Sequence, residues 1–133
     1  MKLSVDSLRE SGSFAGAPVK REVSWTVEGE VLTADVYVRR LSYASAVNDI
    51  QALANDGDLG AARIATCIVD EDGNAVFRIA DVTGFEDDGK PVINDDGEER
   101  GGLISSLVTG LLVLIGEVNG LGKLDPEKDS TSQ

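Results

Sequence analysis

The residues of this chain that could do chemistry are carboxylates, and they come in clusters. Asp70, Asp72 and Asn74 set oxygen ligands at alternate positions beside Gly73, as a loop does when it wraps a hard cation. Asp87-Asp88 and Asp95-Asp96 are paired acids of the kind that hold magnesium or exchange protons. Neither group carries the rest of what its chemistry needs. A calcium loop places its glycine at the sixth position and a bidentate Glu at the twelfth, whereas Gly73 directly follows the second acid. Paired acids need a rigid apolar frame to shift a pKa, and these lie among glycines and further acids. Gly120, Gly122 and Lys123 fail as a phosphate loop, because Leu124 stands where Ser or Thr must follow the lysine. Histidine is absent, which removes the commonest general base and a major metal ligand together. The residues therefore assign no catalytic group, no metal and no cofactor, and the chain reads as a non-enzyme.

The wider composition narrows the partners. Twenty-four acids against 12 bases give a net charge of -12 over 133 residues, which opposes binding to nucleic acid through its phosphates. The length suits one domain, residues 1–122, with a core that needs no disulfide, followed by a tail, 123–133, of disordered composition. Cys67, the single cysteine, lies in the apolar run ARIATCIVD and reads as a small buried hydrophobe in a reducing compartment. MKLSVDSLRE has no apolar core of a signal peptide, and no apolar run reaches the ~20 residues that cross a bilayer, so a soluble cytoplasmic protein with no membrane partner is expected.

The elements that position these residues follow from periodicity. KLSVDSLRES reads as a short helical docking arm after Ser4, and Phe14 beyond it as a plug at a core edge. Val23, Trp25 and Val27, then Leu32, Ala34, Val36 and Val38, alternate with polar residues about Glu28-Gly29-Glu30 and predict a β-hairpin over 19–40. Tyr43 to Asn55 reads as a helix with Ser42 as its N-cap. A second hairpin is expected from Arg63–Val69 and Ala75–Val82 around the acidic turn 70–74. Residues 84–100 read as a solvated loop without periodicity, long enough to imply function or disorder. No internal repeat is evident beyond the two hairpins. The class is α+β: an antiparallel sheet of two hairpins with helices packed on it, the last and most buried of them long and apolar.

That last helix draws attention because LISSLVTGLLVLIGEVNGLG, 103–122, carries one charge, Glu117. Leu107, Val108, Leu111, Leu112, Leu114, Ile115 and Val118 share a face that reads as core. Ser105, Ser106, Thr109, Gly110, Val113 and Gly116 lie opposite, small or uncharged where a solvated helix carries Lys and Glu. This back face is a candidate contact surface for a partner, a second copy or a covering segment of the same chain. The residues assigned to partner binding on this helix are Ser105, Ser106, Thr109, Gly110, Leu111, Val113, Gly116, Glu117 and Asn119. The a/d series Ile104, Leu107, Leu111, Leu114, Val118 also admits homo-oligomerisation through a helical seam.

Three strings, VDSLRESGSFAGAPVKREVSW, ARIATCIVDEDGNAVF and LVTGLLVLIGEVNGLG, with the order of elements, resemble the tail assembly chaperones of long-tailed bacteriophages with non-contractile tails. The resemblance covers most of the chain up to Lys123. It implies a protein of the infected host's cytoplasm, absent from the mature virion, that binds the tape measure protein and keeps it soluble while the tail tube assembles. It also implies contact with the major tail tube protein and with a longer form of the chain made by frameshifting near Gly122-Lys123. The competing reading is an acidic DNA mimic that inhibits a nucleic-acid-binding protein, and a carboxylate-only metal enzyme is a third.

Overall fold

A computed structural model describes residues 2–44, 46–47 and 58–120. Alternation builds its sheet. β1 (Val19–Val27) and β2 (Glu30–Val38) pair antiparallel from Val19↔Val38 to Val27↔Glu30, so the turn is two residues long. Glu28 and Gly29 both take positive φ there, +50° and +82°, as the mirror-image turn demands whose twist matches the strands. β3 (Ile68–Val69) adds a short third strand by pairing with Tyr37 and Val38, giving the order β1-β2-β3.

The expected second hairpin does not form. Residues 59–67 are helix α2 (Leu59–Cys67), entered through Asp58, whose carboxylate accepts the Ala61 amide at 3.0 Å. Ala61, Ala62, Ile64 and Cys67 are buried, and this helical spacing overrides the strand character of the run from Arg63. Downstream only Ala75 bridges back to Val69, and the chain then turns into α3 (Ile79–Thr83). The last helix, α4 (Ser105–Asn119), lies across β1. Val23, Val38, Ile64, Cys67, Ile68, Leu111 and Ile115 make the core between sheet, α2 and α4.

At the N-terminus, α1 (Val5–Glu10) is capped by Ser4 and buries none of its residues. Arg40 ties the segment down by donating to the Gly12 carbonyl at 2.6 Å. Phe14 is 51 % exposed and plugs no core edge, since the chain passes over the surface here. Of the helix expected over 43–55, Tyr43, Ala44, Ala46 and Val47 are helical, with the Ala46 amide donating to the Ser42 carbonyl. The rest of it, and the tail 123–133, lie outside the described residues.

The stretch expected to lack periodicity has a period of eight. Phe85↔Pro91 and Ile93↔Glu99 are bridges enclosing the same turn, and Val69↔Ala75 encloses a third copy. The amide of the first turn residue donates to the carbonyl of the last: Asp70 to Asn74, Glu86 to Lys90 and Asn94 to Glu98. Gly73, Gly89 and Gly97 stand at the one position needing φ near +85°. An Asp side chain stiffens each copy by accepting nearby backbone amides, Asp70 from Asp72 and Asn74, Asp88 from Lys90, and Asp96 from Glu98. The acids of this stretch are exposed, apart from partly buried Glu86, and stand on hydrogen-bonded turns, with Val92 buried between two of them.

Two local constraints fix these turns to the domain. Gly84 and Gly102 face each other where two backbones cross, and a Cβ on Gly102 would come within 2.8 Å of the Thr83 carbonyl carbon. Asp81 accepts the Arg78 amide at 2.8 Å and the Arg100 guanidinium at 2.7 Å, while Arg78 reaches Glu86 at 3.2 Å. The Arg78 amide holds the Asp81 carboxyl below the ordinary range; burial opposes it, and the Arg100 and Arg78 guanidiniums add to the lowering.

Gly102→Ala is expected to cost about 1–3 kcal/mol through backbone displacement. Gly60→Ala, where a Cβ meets only ordinary contacts at 3.4 and 3.6 Å, should be neutral or raise stability by up to about 1 kcal/mol. Thermal melts of the two variants check the contrast. Because the folded carboxyl of Asp81 is lowered, its stabilisation is complete above the unfolded value of about 3.9 and is lost as pH falls through the folded value. Asp81→Asn should therefore be less stable than the parent by about 1 kcal/mol at pH 7, and urea titrations should show the gap closing below about pH 4.

Candidate functional site

The nine residues singled out on the last helix divide by what they touch. Ser106 places its hydroxyl on the backbone of Thr26, accepting from the amide at 3.2 Å and donating to the carbonyl at 3.1 Å. Gly110 lies against β1 so closely that a Cβ would sit 3.0 Å from Val23 Cγ2 and 3.4 Å from the Ser24 carbonyl. Asn119 fastens the other end: its Oδ1 accepts the Leu41 amide at 2.5 Å, and its Nδ2 donates to the Arg39 and Ile115 carbonyls at 3.3 and 3.0 Å. Leu111 is 1 % exposed and belongs to the core. Ser106 and Gly110 are thus covered by β1, Asn119 is fastened to the segment after β2, and Leu111 lies in the core.

Ser105, Thr109, Val113 and Glu117 remain exposed at four-residue intervals, with Gly116 half-buried beside them and Ile104 exposed at the start. Val113 is 52 % exposed, the largest apolar side chain of the described stripe within α4. A helix that ends with its apolar and small residues open along one line can receive a second helix by close packing, without desolvating a charge until Glu117.

A second surface was missed by reading the helix alone. Because Val27↔Glu30 closes a two-residue turn, the odd-numbered residues of β1 and the even-numbered residues of β2 bond to each other. The even-numbered residues of β1 then face its outer edge, where Ser106 meets Thr26. The odd-numbered residues of β2 face the opposite edge, where Val69 pairs with Tyr37. From Glu30 to Val36 no described strand pairs with that edge. Beneath it lies an apolar groove of about 380 Å³ between the inner side chains of β1 and β2 (Val23, Trp25, Ala34, Val36), β3, Val76, Phe77 and the helix residues Leu107 and Leu111. The sequence carries no direct signal of it, because the run through Ile68 reads as a strand from Arg63 onward.

The carboxylates offer less. Asp70 is engaged with its own turn, and among the described residues no cluster of acidic and cysteine side chains is arranged to hold a metal ion. No helix among the described residues is long and apolar enough to cross a membrane. Trp25 packs against the core, and the Tyr37 hydroxyl donates to Glu71 at 3.5 Å, so neither aromatic is set out as a stacking platform.

Comparison with known proteins gives one match. No curated protein and no solved structure matches the chain. A protein family described as phage tail assembly chaperone, TAC, matches residues 6–119, from α1 to the last residue of α4. The match spans the sheet, both candidate surfaces and the acidic turns, and the chain belongs to the phage tail assembly chaperone family.

Proposed function

We propose that this protein holds the tape measure protein of a phage tail in soluble form until the tube assembles around it, acting in the host cytoplasm by binding rather than catalysis. The observation that carries the reading is membership of the tail assembly chaperone family across residues 6–119. The physical requirements of a holdase are met alongside it. A client with exposed apolar stripes needs an apolar contact line, which Ile104, Ser105, Thr109, Val113 and Gly116 supply along α4. The complex then needs like charge to stay dispersed, and a net charge of -12, much of it on the stiff turns of 70–99, supplies that. The tail tube protein, a frameshifted longer form and further copies of the chain are the other partners this role admits.

One observation favours the alternative of an acidic DNA mimic. The acids at Asp72, Asp88 and Asp96 recur on turns closed by backbone hydrogen bonds, which gives the regular placement such mimicry needs. A mimic would capture a basic DNA-binding protein and release it as salt screens the exposed charges.

The test is co-expression with a candidate tape measure protein, followed by pull-down and light scattering of the soluble fraction. The parent chain should keep the client soluble. Val113→Asp, at an exposed position, should change stability by less than about 0.5 kcal/mol yet lose the client. Leu111→Asp buries a charge in the core and should unfold the protein, by more than about 4 kcal/mol, so its loss of function would say nothing about the surface. A folded parent chain that leaves the client insoluble sinks the chaperone reading.

A further inference from the structure

The two edges of the sheet are treated differently. On β1, the Thr26 amide and carbonyl are satisfied by Ser106, and Gly110 lets the helix lie against the strand. On β2, the register turns the amides and carbonyls of Val31, Thr33 and Asp35 outward, and no described strand meets them. An open edge of this length is a template for another strand, and soluble proteins ordinarily blunt it with lysine, proline or a bulge. The segment from Glu30 to Val36, EVLTADV, has none of these. Val31 is 67 % exposed on it.

What lies under the edge gives it specificity. An added strand would run in line with β3, and its alternate side chains would drop into the groove lined by Ala34, Val36, Val76, Phe77, Leu107 and Leu111. The rim is acidic: Asp35 on the strand, and Asp70 and Glu71 where β3 ends. Asp35 pairs with Lys20 at 3.7 Å, and both side chains are exposed. At about 3.3 Å per residue, the stretch from Glu30 to Val36 has room for about six residues of a guest.

We propose that the β2 edge and the groove beneath it capture an extended segment of a client polypeptide as an added strand, one with apolar side chains at alternate positions and Lys or Arg between them. The proposal rests on the reading that the chain holds a polypeptide client, and it names a second site apart from the α4 stripe. Charge selects this occupant. Two copies, each of net charge -12, repel one another, whereas a basic segment is drawn to the rim. The chain's own residues 121–133, LGKLDPEKDSTSQ, do not alternate apolar with polar and contain Pro126.

The experiment uses the full chain and a heptapeptide alternating lysine with valine, compared with the same peptide N-methylated on alternate amides, which keeps its charge and apolar surface. Binding is read by calorimetry and by amide exchange. The unmodified peptide should slow exchange at Val31, Thr33 and Asp35 and bind at least about tenfold tighter than the methylated one. Thr33→Pro removes one outward amide and leaves the pairing with β1, and should lower the affinity about tenfold with the melt preserved. Val76→Lys, at a half-exposed groove position, should do the same through like charge, and stands in if the proline variant does not fold. Equal binding of both peptides would reduce the effect to charge and overturn the proposal. So would edge amides already protected in the free chain and released by truncation after Gly120, or protection that rises with protein concentration together with dimer mass. With the tape measure protein as client, solubilisation undiminished by both Thr33→Pro and Val76→Lys overturns this site and leaves the chaperone role standing. Peptide binding with edge protection, in a chain that fails to keep that client soluble, supports the site and removes the chaperone role.

Discussion

The close seat of α4 on β1 is the constraint from which the rest of the molecule follows. Gly110 lets the helix approach to van der Waals contact with Val23, and hydrogen bonds from Ser106 and Asn119 hold its two ends to Thr26, Arg39 and Leu41. The helix leaves part of the inner face of the sheet uncovered. Leu111 and Ile115 are pressed into the core with Val23, Val38 and Ile64, while Ala34 and Val36 overlook an open groove. The small residues that made the helix look ready for a partner are in part the means by which it fits its own sheet.

The acids obey a different logic. A highly charged chain gains dispersal from its charge but loses stability if that charge crowds the core. Here the carboxylates are lifted onto turns whose backbone groups are satisfied locally, so their repulsion acts outward. Among the described acids Asp81 and Glu86 are drawn partly inward, Asp81 meeting Arg78 and Arg100 and Glu86 meeting Arg78. The Gly84–Gly102 crossing lies beside this cluster, so charge pairing and backbone contact secure the same junction.

The α+β class, the first hairpin with its turn, the short helix after Ser4 and the presence of a last long helix were legible in the sequence, because each rests on a local period of two or of 3.6. Residues 63–69 were not. Their β-branched and apolar letters look like a strand from Arg63 onward, and only the Asp58 cap and the alanines before Arg63 show that the helical face starts earlier. Of the nine helix residues proposed for contact, the pattern could not show that Ser106, Gly110 and Asn119 would be taken by β1 and the segment after β2. Those contacts join positions about 80 residues apart. The β2 edge was hidden for the opposite reason. An unpaired edge is defined by what fails to pair, and no single segment records that.

The repeated turn went unread because its period is eight, visible only in the recurrence of Asp72-Gly73, Asp88-Gly89 and Asp96-Gly97. Each copy brings the chain back to its starting point: Val92 donates to Gly84, and Arg100 to Val92. The segment therefore behaves like a stack of links, each closed on itself. Its length can change by a whole link without moving the chain ends that lead into α3 and α4, whereas a change of a few residues would break the register of every bond above it. Among relatives of this chain, then, the acidic stretch should vary in steps of eight residues, a way for surface charge to grow or shrink with the packed domain untouched.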